Sequence, residues 1–259
     1  MLLTIDIGNT HTVFGVFKDA EIAYRWRIRT DKSATGDELR MAIIPLFVAS
    51  EVNPNSIKAT IIASVVPRLV AGWQEAIALA FGNEPLVVSA KMAKGLFTCK
   101  YDKVAEIGAD RIADAVAIRA IYGSPCAVAD FGTATNIEVI DAKGDFIGGI
   151  LAPGIETSSQ ALYNSATKLS EIALVPPVSA IGGSTEDALK IGMVYGEADR
   201  LDGLMSRVFA QLGYSMPVIA TGGLAHIVAP FSKVVTNIDE DLTLKGLRIL
   251  HDYVNSKHN

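Results

Sequence analysis

One pattern occurs twice in this chain. An apolar run ends in Asp-x-Gly, passes a short polar turn, and continues as two more runs of strand-forming residues. The first copy is Leu2–Ile7, Val13–Phe17 and Glu21–Arg29; the second is Cys126–Asp130, Asn136–Asp141 and Phe146–Leu151. Runs of this length, bounded by Gly, Asn and Asp, read as strands joined by turns. The leading aspartates, Asp6 and Asp130, are 130 − 6 = 124 positions apart, close to half of the 259 residues. A strand meander repeated at half-length predicts two similar domains facing one another.

Helical spacing follows each meander. In the first half, Leu39, Ile43, Leu46 and Phe47 predict a helix over Ser33–Ser50. Ala59–Val65 then reads as a buried strand, Pro67–Phe81 as a helix, Leu86–Val88 as a strand and Ala109–Tyr122 as a helix. In the second half, helices are predicted over Gly154–Ala166 and from Ser184 onward, where Asp187 three residues later completes a capping signal. A strand at Val218–Ala220 and a closing helix at Leu242–Asn255 complete the reading. Strands mixed with helices in this order predict an α/β fold.

Composition narrows the function. Half of the residues are hydrophobic and a fifth are charged, which excludes a disordered chain. The net charge is −5, with no run of Lys or Arg, which argues against a nucleic-acid partner. Cys99 and Cys126 form neither a disulfide framework nor a CxxC metal motif, as expected of reduced thiols in a cytoplasmic protein. Val208–Ser232 has no charged side chain, but Pro217, Gly222, Gly223 and Pro230 interrupt it. It reads as part of a water-soluble core rather than a membrane span. The N-terminus lacks the basic, then apolar, pattern of a signal peptide.

Four clusters can carry chemistry. Asp6-Ile7-Gly8-Asn9-Thr10 lies on a tight turn where glycine lets backbone amides approach a phosphate. The aspartate before that turn can hold Mg²⁺. The same residues suit an ordinary hairpin turn. Asp130-Phe131-Gly132-Thr133-Ala134-Thr135 offers the same chemistry from the other half, and Gly222-Gly223 allows a third close approach, beside a nucleoside. Neither a Walker A loop nor a GxGxxG fingerprint is present. Gly108-Ala109-Asp110-Arg111 opens a helix, where the backbone and Arg111 favour anions and Asp110 can take a proton from a hydroxyl. A structural cap with a surface ion pair is the alternative for that cluster. His11, His226, His251 and His258 have no metal-ligand spacing.

Seven motifs in order resemble the type III pantothenate kinase family: DIGNT at Asp6–Thr10, SVVP at Ser64–Pro67, GADR at Gly108–Arg111, DFGTAT at Asp130–Thr135, GGILAPG at Gly148–Gly154, ATGGLA at Ala220–Ala225 and LTLKGL at Leu242–Leu247. The resemblance implies two ribonuclease-H-like α/β domains around a nucleotide cleft, the fold of the actin-like ATPase superfamily, here divided as 1–118 and 119–259. It also implies ATP-dependent phosphorylation of pantothenate, the first step of coenzyme A synthesis, by a cytoplasmic homodimer that uses Mg²⁺ or another divalent cation and K⁺ or NH₄⁺.

By motif, Asp6, Ile7, Gly8, Asn9, Thr10, His11, Thr12 and Val13 would form the first ATP segment, with Asp6 near the divalent metal. Asp110 would be the base. Tyr101, Gly108, Ala109 and Arg111 would line the pantothenate pocket. Asp130 would hold the monovalent cation and Thr133 the ATP phosphates, and Thr185 would reach pantothenate, across the dimer interface. Gly183-Ser184 replaces a usual Lys-Asn, Val104 and Ser170 replace prolines, and Asn136 replaces a threonine; none of these removes a proposed catalytic group. A catalytically silent relative would have lost Asp6, Asp110, Arg111, Asp130 or Thr133, and a phosphohydrolase would not need the GADR cluster.

Overall fold

The structure is a computed structural model describing residues 1–166 and 169–257. It divides into two units: Met1–Ala117 together with the segment from Leu242, and Ile118–Asp241.

The first unit starts with β1 (Leu2–Ile7), β2 (His11–Lys18) and β3 (Glu21–Arg29), an antiparallel meander. α1 (Gly36–Ala49), β4 (Ala59–Ser64), α2 (Pro67–Phe81) and β5 (Leu86–Val87) follow, and α3 begins at Ala109 and ends at Tyr122. The sheet order is β3-β2-β1-β4-β5, with β4 parallel to β1 and β5 parallel to β4.

α1 starts three residues later than its apolar spacing predicts. Asp31 accepts from the Ser33 amide and hydroxyl, which holds that stretch in a turn of its own. Thr35 then caps the helix in a reciprocal box with Glu38, a device worth about 1 kcal/mol. α2 has the expected bounds: Pro67 occupies its first turn and Gly82 ends it at φ 67°, where a side chain would be strained. Aromatic side chains run through the largely aliphatic core over this sheet. Phe14 meets Trp73 edge-on at 5.5 Å, and Phe47 lies 5.0 Å from Trp26 and 4.8 Å from Phe81.

The second unit repeats the arrangement. β6 (Cys126–Phe131), β7 (Ala134–Ile140) and β8 (Phe146–Pro153) form the meander; α4 (Ile155–Ser165), α5 (Thr185–Leu212), β9 (Val218–Thr221), the single-turn α6 (Ala225–Val228) and β10 (Val235–Ile238) follow. The order β10-β9-β6-β7-β8 is that of the first sheet read from its other edge: third, second and first strand of the meander, then two parallel strands. β1 and β6 are buried at every position but the fifth, and those fifth positions are Asp6 and Asp130. The internal repeat is thus one of topology and burial, while the hairpin register differs: Ile7 pairs with Thr12, but Phe131 with Thr135. β10 carries no sequence signal strong enough to predict it; it is four residues long and mostly exposed.

The last helix, α7 (Leu242–Ser256), packs in the first unit, whereas the sequence division assigned all of 119–259 to the second. Its buried face is Leu242, Leu244, Gly246, Leu247 and Leu250. A Cβ at Gly246 would overlap the Ala113 carbonyl, so glycine lets α7 lie close against α3. Thr243 donates to Asp114 at 2.7 Å across that contact. An amphipathic stripe states that a helix has a core, not which core.

Among the described residues, no helix is long and apolar enough to cross a membrane. Both cysteines are free. Burial pushes the Cys126 thiol up to about 12, so it is unreactive near neutrality.

Candidate active site

The first turn follows β1. The Gly8 amide bonds the His11 carbonyl at 3.0 Å, and a Cβ on Gly8 would come within 2.9 Å of that oxygen. The turn therefore needs glycine. Asn9, Thr10 and His11 are exposed at its tip, while Thr12 is buried and shares a 2.9 Å hydroxyl bond with Thr30. The Thr30 amide also bonds the Thr10 carbonyl, which fixes the base of the turn against the end of β3. Lys32 donates to Asn9 Oδ1 at 2.9 Å, so the Asn9 amide nitrogen points away from the lysine. Val13 pairs with Asp6, and Ile7 with Thr12.

The GADR cluster lies beside this turn. The Val65 amide bonds the Ile7 carbonyl at 3.1 Å, and a Cβ on Gly108 would be 3.5 Å from Val65 Cγ1. The ends of β1 and β4 and the start of α3 therefore adjoin. Asp110 Oδ1 accepts from the Arg111 amide at 2.8 Å. The same oxygen occupies the space a Gly108 side chain would fill. Burial raises the Asp110 pKa above the usual carboxylate range, against the Arg111 amide and guanidinium, which both favour the anion. Arg111 is itself buried, with its guanidinium carbon 5.5 Å from the centre of the Tyr101 ring.

The second turn follows β6. The Gly132 amide bonds the Ala134 carbonyl at 3.1 Å. Thr133 has its carbonyl held by the Gly154 amide at 3.1 Å and by Thr157 Oγ1 at 2.6 Å, while the residue itself is exposed. Any Cβ on Gly154 would overlap the carbonyls of Gly132 and Thr133. The third turn joins this one: Thr221 pairs with Asp130, and Gly222, at φ 90°, sits against the Asp130 carboxylate.

The first unit thus gathers Asp6–Val13 with Gly108–Arg111 and Tyr101, and the second gathers Asp130 and Thr133. Thr185 stands exposed in the first turn of α5, and no hydrogen bond described links it to the second turn. His258 lies outside the described residues. Sequence reasoning missed the polar group behind the second turn, where Thr135, Glu197 and Arg200 meet; an acid and a cation three apart on a helix read as a solvated pair.

The family model for type III pantothenate kinase matches residues 2–207. A type III pantothenate kinase of Anaeromyxobacter sp. (strain K) is 40% identical over 252 residues, 97% of this chain and 99% of that one. The chain belongs to the type III pantothenate kinase family. It is therefore a kinase, a phosphotransferase with an alcohol group as acceptor, and it has the two-domain actin-like ATPase fold. Solved structures agree on the fold: component A of the (R)-2-hydroxyglutaryl-CoA dehydratase of Acidaminococcus fermentans superposes with a TM-score of 0.57 at 16% identity, over 99% of this chain and 98% of that one. A ROK family glucokinase of Streptomyces griseus gives 0.50 at 12%, over 96% and 98%.

ATP use and a divalent cation follow from a kinase of this fold. Among the described residues no three His, Cys, Asp or Glu side chains form a metal cage. A cation carried on nucleotide phosphates needs only one or two carboxylates, and Asp6, at a strand end beside an amide-rich turn, suits it. Asp130 is a carboxylate flanked by Gly132 and Gly222, and a Cβ on Gly222 would overlap its Oδ1.

Proposed function

We propose that this protein transfers the γ-phosphoryl group of ATP to the hydroxyl of pantothenate, with Asp110 as the general base. The observation that carries the assignment is Asp110 itself: a carboxylate at the start of α3, beside the first phosphate turn, with a pKa raised by burial. A base works best when its pKa approaches the operating pH. The alcohol is a poor nucleophile, and Asp110 takes its proton as the oxygen attacks phosphorus.

Phosphoryl transfer depends on positioning and charge stabilisation. The Asp6–Val13 turn offers amides to the phosphates, and Thr133 offers its amide and hydroxyl. A divalent cation near Asp6 would neutralise charge on the transferring group. Asp130 would hold K⁺ or NH₄⁺. Arg111, fixed against Tyr101, presents a fork suited to the pantothenate carboxylate, and Gly108 and Ala109 leave room beside it.

A homodimer fits the surface of the second unit. α4 and α5 flank a groove of about 480 Å³ lined by Ile155, Leu162, Leu189, Gly192, Met193 and Gly196, among others. A second copy laid on this face would cover those apolar side chains.

Incubating the purified protein with ATP, Mg²⁺ and pantothenate, with and without KCl, tests the reading. Phosphopantothenate should form, and faster with K⁺. A protein that binds ATP but leaves pantothenate unmodified under both conditions would refute it.

A further inference from the structure

Behind the second phosphate turn, three side chains from two elements form one hydrogen-bonded group, with Arg200 30% exposed at its edge. Thr135, near the start of β7, donates from Oγ1 to Glu197 Oε1 on α5 at 2.5 Å, and receives from Arg200 Nη2 at 3.3 Å. The hydroxyl is thus held in both its donor and acceptor roles, which pins the side-chain rotamer. Arg200 also donates to Glu197 at 2.7 Å and to the Pro153 carbonyl at 2.7 Å. Thr135 and Glu197 are 3% and 5% exposed.

Those attachment points frame the turn. Thr135 pairs with Phe131, the residue after Asp130, and Pro153 pairs with Ala134 at the end of β8. Gly154, next in the chain, bonds the Thr133 carbonyl. Phe131 and Ala134, on either side of the Gly132-Thr133 turn, thus pair with residues of this group, while Thr157 Oγ1 holds the Thr133 carbonyl from outside it.

A partly buried ion pair is weak evidence for stability, because well-packed apolar residues often serve as well. What it adds is directional geometry, and here the direction is toward the turn. We infer that Glu197 and Arg200 are positioning residues for the second phosphate turn, acting through the Thr135 hydroxyl and the Pro153 carbonyl. They touch no reacting atom; they hold the Thr133 backbone where a nucleotide phosphate is bound. This inference rests on the kinase reading of that turn.

Removing Glu197 would leave Thr135 and Arg200 without their shared acceptor and risks unfolding, so the test acts on Thr135. Thr135→Val keeps the branched shape and the Glu197–Arg200 pair but removes the hydroxyl. Thr135→Ser keeps the hydroxyl. Two quantities are measured: affinity for a non-hydrolysable ATP analogue by calorimetry, and KM for ATP against kcat with pantothenate. Displacing a phosphate-binding group by a fraction of an ångström predicts about tenfold weaker nucleotide binding in Thr135→Val, with a higher KM for ATP and an unchanged KM for pantothenate. Thr135→Ser should recover most of that loss. Thr135→Val with nucleotide affinity within twofold of wild type, or a loss that serine fails to recover, would overturn the inference. Wild type that binds the analogue but does not phosphorylate pantothenate refutes the substrate assignment alone, and the affinity comparison still decides the positioning role. Wild type that binds no nucleotide overturns both.

Discussion

Gly222 sits directly against the carboxylate of Asp130: a Cβ at that position would overlap Asp130 Oδ1 and lie 2.7 Å from the amide and carbonyl of Phe131. Its φ of 90° is one that side chains rarely adopt. Two motifs about ninety residues apart thus form one surface because one residue lacks a side chain.

Gly222→Ala should therefore displace Asp130 and strain the backbone at once. Backbone strain of this kind costs about 1–3 kcal/mol, and misplacing the carboxylate should lower kcat/KM for ATP by about 10²-fold. Thermal unfolding and steady-state kinetics on the same preparation separate the two effects. Near-wild-type kinetics would mean that the carboxylate position is not critical.

Asp110→Asn preserves shape and removes the base, so turnover should fall by about 10²–10⁴-fold while the protein stays folded. Turnover within twofold of wild type would exclude Asp110 as the base.

The same substitution has a stability signature. Burial raises the pKa of Asp110 in the folded protein above its ordinary 3.8. The native state then binds more protons than the unfolded chain between those two values, and stability falls as pH rises through that window. Above it, the folded protein carries an ionised carboxylate in a poor solvent. Asp110→Asn should unfold at a higher temperature than wild type at neutral pH, and the gap should close toward pH 3.8. A gap that does not change with pH would assign it to something other than this ionisation.

Asp130→Asn should abolish the response to potassium together with most activity, because a neutral amide holds a monovalent cation poorly. Titrating KCl against initial rate checks this. A mutant that responds to K⁺ like wild type would move the cation elsewhere.

The dimer proposal has a mixing test. If Thr185 serves the partner's pocket, mixed dimers of Thr185→Ala and Asp110→Asn subunits carry both lesions in one pocket and none in the other. Random exchange would then restore about a quarter of wild-type activity, half of the dimers being mixed with one good site each. No recovery, in a preparation shown to exchange subunits, would place Thr185 in its own pocket.

What the sequence determined by itself is local. The Asp-x-Gly turns, the bounds of α2 and α3, and the Ser184 cap depend on residues within a few positions of one another, where propensity and hydrogen-bonding chemistry act directly. The paired meanders were legible for the same reason: alternation, turn chemistry and a repeat need no knowledge of distant partners. The tertiary structure decided the rest. It placed α7 in the first unit, where Thr243 meets Asp114 from 129 positions away, and it set Glu197 behind Thr135 from 62 away. It also required Gly154 and Gly222 to be glycines against backbone far along the chain. Such pairings form only when packing brings whole elements together, and the side chains involved look, in sequence, like any solvated acid, threonine or turn glycine. The chemical groups of the site were written locally; the geometry that lets them act was set by the packing around them.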